Sequence, residues 1–156
     1  KPLRGSKVAT LEGGIRVPLI VRWPGHVPGG RVDDTSVLNI CDFAPTFCRL
    51  AGASMEAGYA GDGVDMTDAL LGRPFDRSRP MFWHHPTASG RGPKLAVRDG
   101  HWKLLINPDG GDAALYDLAS DVGEQIDLAT TKPDVVERLR SQVIAWYDTL
   151  PVKRAQ

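Results

Sequence analysis

The stretch Lys7-Val8-Ala9-Thr10-Leu11-Glu12-Gly13-Gly14-Ile15-Arg16-Val17-Pro18-Leu19-Ile20-Val21-Arg22-Trp23 decides how the rest of the chain is read. It joins a polar, glycine-bearing loop to a strongly apolar run. Ile15, Val17, Leu19, Val21 and Trp23 recur at spacing two, the period of a strand, and Ile20 on the other face makes the centre apolar on both sides. Strands buried on both faces sit inside covered sheets, so the spacing predicts a strand over Ile15–Trp23 within an α/β fold. Lys7 and Arg16 then lie near a sheet end, where loops carry chemistry.

The chain of 156 residues is long enough to bury a sizeable core. Nineteen basic residues balance nineteen acidic ones, which argues against a generic nucleic-acid or polybasic membrane surface. No apolar run approaches the roughly 20 residues of a membrane span, and Lys1-Pro2-Leu3-Arg4-Gly5 has no apolar signal-peptide core. Because the sequence does not begin with methionine, the expectation is a piece of a longer protein. Cys41 and Cys48 lie in an expected helix at a separation of about 10 Å along its axis, too far for a mutual disulfide, and are expected as small buried residues.

Beyond the strand, Pro24 to Gly30 is a loop by turn chemistry, with His26 exposed in it. A helix follows with Asp42 as N-cap, Pro45 in its first turn, Gly52 as its stop, and Phe43, Phe47 and Leu50 as an apolar stripe. Ser54 to Gly63 is a loop, and a short helix runs from a cap at Asp65 to a stop at Gly72. The composition shifts over Gly72–Pro80, which divides the chain into residues 1–76 and 77–156. In the second part Met81–His84, Lys94–Arg98, His101–Ile106 and Ala114–Leu118 form an antiparallel meander, with Asp99-Gly100 as a two-residue hairpin turn. Pro133 opens the last helix, whose Val136, Leu139, Val143, Trp146 and Leu150 recur at helical spacing and cover one face of the meander.

Lys7 draws attention chemically because a lysine in a glycine-bearing loop can set a compact, mobile positive charge against a tetrahedral oxyanion. From spacing alone a solvated loop lysine is the other reading. The longer pattern bears on the choice. Pro2-Leu3-Arg4-Gly5-Ser6-Lys7, Leu11-Glu12-Gly13-Gly14-Ile15-Arg16-Val17-Pro18 and Trp23-Pro24-Gly25 resemble the sulfatase family of the alkaline-phosphatase-like superfamily. Asp42-Phe43-Ala44-Pro45-Thr46, Asp62-Gly63-Val64-Asp65, Arg98-Asp99-Gly100-His101-Trp102-Lys103-Leu104, and Leu115-Tyr116-Asp117-Leu118 with Gly123-Glu124 continue the resemblance in family order.

The resemblance implies the C-terminal portion of an arylsulfatase-like sulfuric ester hydrolase. Residues 1–76 would end its large α/β domain, and 77–156 would form a small subdomain in which an antiparallel sheet packs against a C-terminal helix. It implies that Lys7 contacts the sulfate and stabilises the transition state. Glu12 and Arg16 are expected in structural roles, as a buried ion pair or a backbone cap. The family's formylglycine, made within a Cys/Ser-x-Pro-x-Arg motif, matches neither Cys41-Asp42-Phe43 nor Cys48-Arg49-Leu50. Its divalent cation, usually calcium, is held by acidic pairs that precede the lysine loop. Both are therefore expected upstream, no metal is assigned here, and Asp33-Asp34 is read as a solvent loop. The missing N-terminal part is the expected partner of this piece, which by itself would lack turnover.

Four histidines invite a metal reading. His26 and His101 stand in loop or hairpin contexts, and His84 and His85 point to opposite faces of a strand, so they do not chelate one ion simply. In related sulfatases the corresponding segment lies near the active-site mouth, which implies substrate contacts for His84 or His85, with packing or solvent as the other reading. Arg91 and Lys94 would face an anionic substrate, a small sulfate ester or a sulfated carbohydrate. Two alternatives stand beside the sulfatase reading: a phosphate or phosphonate ester hydrolase of the same superfamily, and a non-catalytic module that binds carbohydrate or a partner chain.

Overall fold

Alternating strands and well-placed turns give the C-terminal part its meander. The computed structural model describes residues 3–56, 61–86 and 92–151, in two compact units, Lys1–Val17 with Pro80–Gln156, and Pro18–Arg79. In the first unit β1 (Met81–His84), β2 (Leu95–Asp99), β3 (Trp102–Ile106) and β4 (Ala114–Asp117) form one sheet in that order, every neighbour antiparallel. Asp99 pairs with Trp102, so the hairpin turn is Gly100-His101, one residue later than expected. Gly100 takes the left-handed φ of +59° that the first turn position requires.

The sheet is covered on both faces. On one, Leu95, Val97, Leu104, Ile106 and Leu115 pack against Val136, Leu139 and Val143 of α4 (Pro133–Thr149). Pro133 occupies the first turn of that helix, where its missing N–H costs nothing. Phe82 stacks on Trp146 with ring centroids 5.1 Å apart, and Arg138 pairs with Asp99. On the other face, Ala96, Leu105, Tyr116 and Leu118 form a second cluster joined by Trp83 and Leu11, so the segment from Arg4 to Ile15 lies over this side.

In the second unit, a 3-10 turn over Ile40–Asp42 leads into α2 (Phe43–Leu50), and α3 (Thr67–Leu70) follows. Met66, Ala69 and Leu70 form a small core with Leu38, Phe43, Leu50 and Phe75. Phe47 lies outside that core and is exposed, stacked on Phe43. Asp42 precedes α2 as expected, but its carboxylate does not cap that helix. It accepts instead from the Asn39 N–H at 2.6 Å, closing a capping box around the 3-10 turn. The N-cap position of α3 is Met66, one residue after the expected Asp65, and has no side-chain cap; the Asp65 carboxylate accepts instead from the first helical N–H, that of Thr67, at 2.9 Å. Cys41 and Cys48 are both free thiols, and Cys41 is exposed where burial was expected.

The expected strand over Ile15–Trp23 does not form. Glu12–Ile15 is a single helical turn, α1, and residues 16–23 carry no regular structure. A strand needs a neighbour for its N–H and C=O groups, and among the described residues the only sheet is β1–β4. The apolar residues of the run face outward as a result, with Val17 80% and Ile20 91% exposed.

Candidate active site

Lys7 is an exposed residue on a loop folded back tightly on itself. The Gly13 N–H donates to the Arg4 carbonyl at 2.7 Å, and the Ala9 N–H to the Ser6 carbonyl at 3.0 Å. The glycine pair is required by this closeness: a Cβ on Gly13 would stand 2.5 Å from the Arg4 oxygen, and one on Gly14 2.1 Å from the Ala9 oxygen. Val8, next to Lys7, is held at φ +79°, a strained position for a β-branched residue that persists only where its surroundings over-determine it.

Beneath the loop lies a buried ionic cluster. Lys103, wholly buried on β3, donates from Nζ to Glu12 Oε1 at 2.9 Å and stands 2.8 Å from Glu124 Oε1. The second approach is an ion pair off the hydrogen-bonding direction, so Glu124 Oε1 makes no hydrogen bond. Glu124 Oε2 accepts from the Glu12 backbone N–H at 2.7 Å. Arg98 approaches Glu12 Oε2 at 4.0 Å, and burial draws its guanidinium below its ordinary range while Glu12 acts against that shift. The Glu12 ion pair is the structural role expected for that residue. Arg4 closes the arrangement, donating from Nη1 to the Glu124 carbonyl at 2.8 Å and to the Tyr116 hydroxyl at 3.2 Å. Burial raises the Tyr116 phenol above its ordinary value of 10.0, with Arg4 opposing, so the hydroxyl stays neutral.

The other expected site residues are placed separately. His84 belongs to the α4 side of the sheet, where its ring meets Tyr147 edge-on at 5.0 Å, whereas the loop that bears Lys7 covers the opposite side. Burial, then the charges of His85 and Lys94, draw His84 below its ordinary value of 6.5. His85, just past β1, donates its backbone N–H to the Lys94 carbonyl at 2.8 Å. Arg91 lies outside the described residues. Among the described residues no three His, Cys, Asp or Glu side chains gather to hold a metal ion. No helix among them is long and apolar enough to cross a membrane.

Sequence reasoning missed Lys103 and gave Glu124 no role. The signal for Lys103 was its place on β3 two residues from Leu105, a lone cation on an apolar face; Glu124 carries no comparable local mark.

The family model for N-sulphoglucosamine sulphohydrolase, C-terminal, matches residues 6–147. A protein named sulfatase from Formosa agariphila is 29% identical over 93% of this chain and 29% of its own length. Mouse arylsulfatase G is 31% identical over 93% of this chain and 30% of its own. The crystal structure of Ps i-CgsB superimposes with a TM-score of 0.79 at 28% identity, covering 93% of this chain and 32% of that one. The chain thus spans less than a third of the length of these relatives. Its four-stranded antiparallel meander and closing helix accompany that match over most of its length, and the chain belongs to the family of N-sulphoglucosamine sulphohydrolase C-terminal domains.

Proposed function

We infer that this chain serves a sulfuric ester hydrolase and that Lys7 is its contribution to the active site. The observation that carries this reading is an exposed lysine on a loop that glycine contacts and a buried ionic cluster hold in one conformation. A compact ammonium so presented suits an oxygen of a sulfate ester, where negative charge grows as the ester bond breaks. Formylglycine as the attacking group and a divalent cation as counter-charge, calcium by the family resemblance, would come from a preceding part of the protein. Within the parent, residues 1–76 would complete the large α/β domain and 77–156 form the small subdomain.

The substrate class is a small sulfate ester or a sulfated carbohydrate. Choline-sulfatase of Rhizobium meliloti, 33% identical over 79% of this chain and 23% of its own length, supports the first. Ps i-CgsB, solved also in complex with k-i-k-neocarrahexaose, supports the second. His84 or His85, with Arg91, would then contribute contacts at the mouth.

The test is Lys7→Ala in the full-length parent enzyme. Turnover of p-nitrophenyl sulfate should lose at least about tenfold in kcat/KM, on the order of 1.4 kcal/mol, with the melting temperature unchanged. Unaltered kinetics would remove Lys7 from the site, and preferred turnover of p-nitrophenyl phosphate would move the enzyme to phosphate ester chemistry.

A further inference from the structure

We propose that Glu124 is a positioning residue for the Lys7 loop, acting from the far end of the chain through Glu12 and Arg4 with Lys103 as its buried counter-ion. The inference rests on the reading of Lys7 as the sulfate contact. Glu124 grips the loop on both sides of that lysine: its side chain accepts from the Glu12 N–H, and its main-chain carbonyl accepts from Arg4. Lys7 lies between these two attachments. Glu124 itself holds a left-handed φ of +54°, uncommon outside glycine.

The chemistry of the attachment argues for placement rather than adhesion. Two carboxylates and an ammonium, all removed from water, carry a desolvation penalty that a plug of apolar side chains would not. Directional bonds do what such a plug cannot: they allow the Glu12 N–H and the Arg4 guanidinium a single register each. A lysine stem is long and flexible, so the place its ammonium can reach is set by the backbone that carries it. Small misplacement of a charge at a reacting group is costly to rate.

The experiment is a double-mutant cycle in the full-length parent, read by p-nitrophenyl sulfate kinetics and by backbone hydrogen exchange. Glu124→Asp keeps the charge but draws the acceptor back by one methylene. It should lower kcat by about tenfold, more than it raises KM, and speed exchange at residues 5–9 while β2 and β3 stay protected. In the Lys7→Ala background the same change should cost no further kcat, because the effect runs through Lys7. Should Glu124→Asp fail to fold, Arg4→Met at the exposed side of the cluster replaces it in the same cycle, with a loss of about threefold and recovery by Arg4→Lys. An equal loss with and without Lys7, or an unchanged kcat, overturns the proposal. If Lys7→Ala alone leaves kcat/KM intact, it is the reading of Lys7 that fails, and the proposal falls with it.

Discussion

Arg77 holds Asp42 by two parallel hydrogen bonds, Nη1 at 2.6 Å from Oδ2 and Nη2 at 3.0 Å from Oδ1, with the side chains 8% and 0% exposed. The same carboxylate accepts from the backbone N–H groups of Asn39 and Val64. One aspartate therefore ties together three separate stretches of the second unit.

Asp42→Ala would leave a buried guanidinium without its partner and two N–H groups without acceptors. Breaking a buried pair in this way costs about 3–5 kcal/mol, so urea unfolding should show a loss in that range. Arg77→Lys keeps the charge but not the fork, and should cost less, about 1–2 kcal/mol. Equal losses would mean that the two-point geometry contributes nothing.

The contrast between these pairs and the meander shows what the sequence could disclose. Strand alternation, Pro133 and the Val136-Leu139-Val143 stripe are local patterns, and they foretold the sheet and α4 to within a residue or two. The partners of Asp42 and Glu12 lie far along the chain, Arg77 35 residues from Asp42 and Lys103 91 from Glu12, so no local pattern could name them. Ile15–Trp23 failed for a different reason. Its period records a preference for a sheet, but a strand exists only with a hydrogen-bonding neighbour, and the described residues offer none. The glycine-bearing loop around Lys7 was legible in the local sequence; the ionic cluster beneath it, whose members come from Glu12, Lys103 and Glu124, was not.

His84 gives the stability of the first unit a pH dependence. Its folded-state value is lowered, chiefly by burial, so the unfolded chain takes up the proton first. The contribution is full above the ordinary value of 6.5 and is lost as pH falls from there through the lowered folded value. His84→Phe keeps an aromatic ring against Tyr147 and removes the proton site. Urea midpoints taken from about pH 8 to about pH 5 should fall less steeply for this variant, and identical slopes would remove His84 as the source.

The exposed run after α1 should make the chain associate when it is produced by itself. Val17 and Ile20 are 80% and 91% exposed, and Leu19, Val21 and Trp23 are also exposed beside them. A contiguous apolar stretch with unpaired backbone groups is a template for pairing with another copy. Sedimentation velocity should find self-association that Val17→Lys with Ile20→Lys reduces. An unsubstituted 156-residue chain that is monomeric at the same concentration would refute the assignment.

Gly14 tests the lysine loop by setting two magnitudes against each other. It sits inside α1, where exchange of glycine for alanine ordinarily gains up to about 1 kcal/mol of helix propensity. Here the added Cβ would stand 2.1 Å from the Ala9 oxygen and 2.7 Å from that of Ser6, and both neighbours are backbone that cannot swing aside. Overpacking of this kind costs about 1–3 kcal/mol, so sterics should win and Gly14→Ala should destabilise the first unit. The only relief is outward movement of the segment from Ser6 to Ala9, which carries Lys7. The full-length parent should therefore lose about tenfold or more in kcat/KM on p-nitrophenyl sulfate. Gly29→Ala, with no atom within 4 Å of its Cβ, should change stability by less than about 0.5 kcal/mol and leave turnover alone. A stabilised, fully active Gly14→Ala enzyme would show that propensity outweighs the contact and that the loop need not be held where it lies.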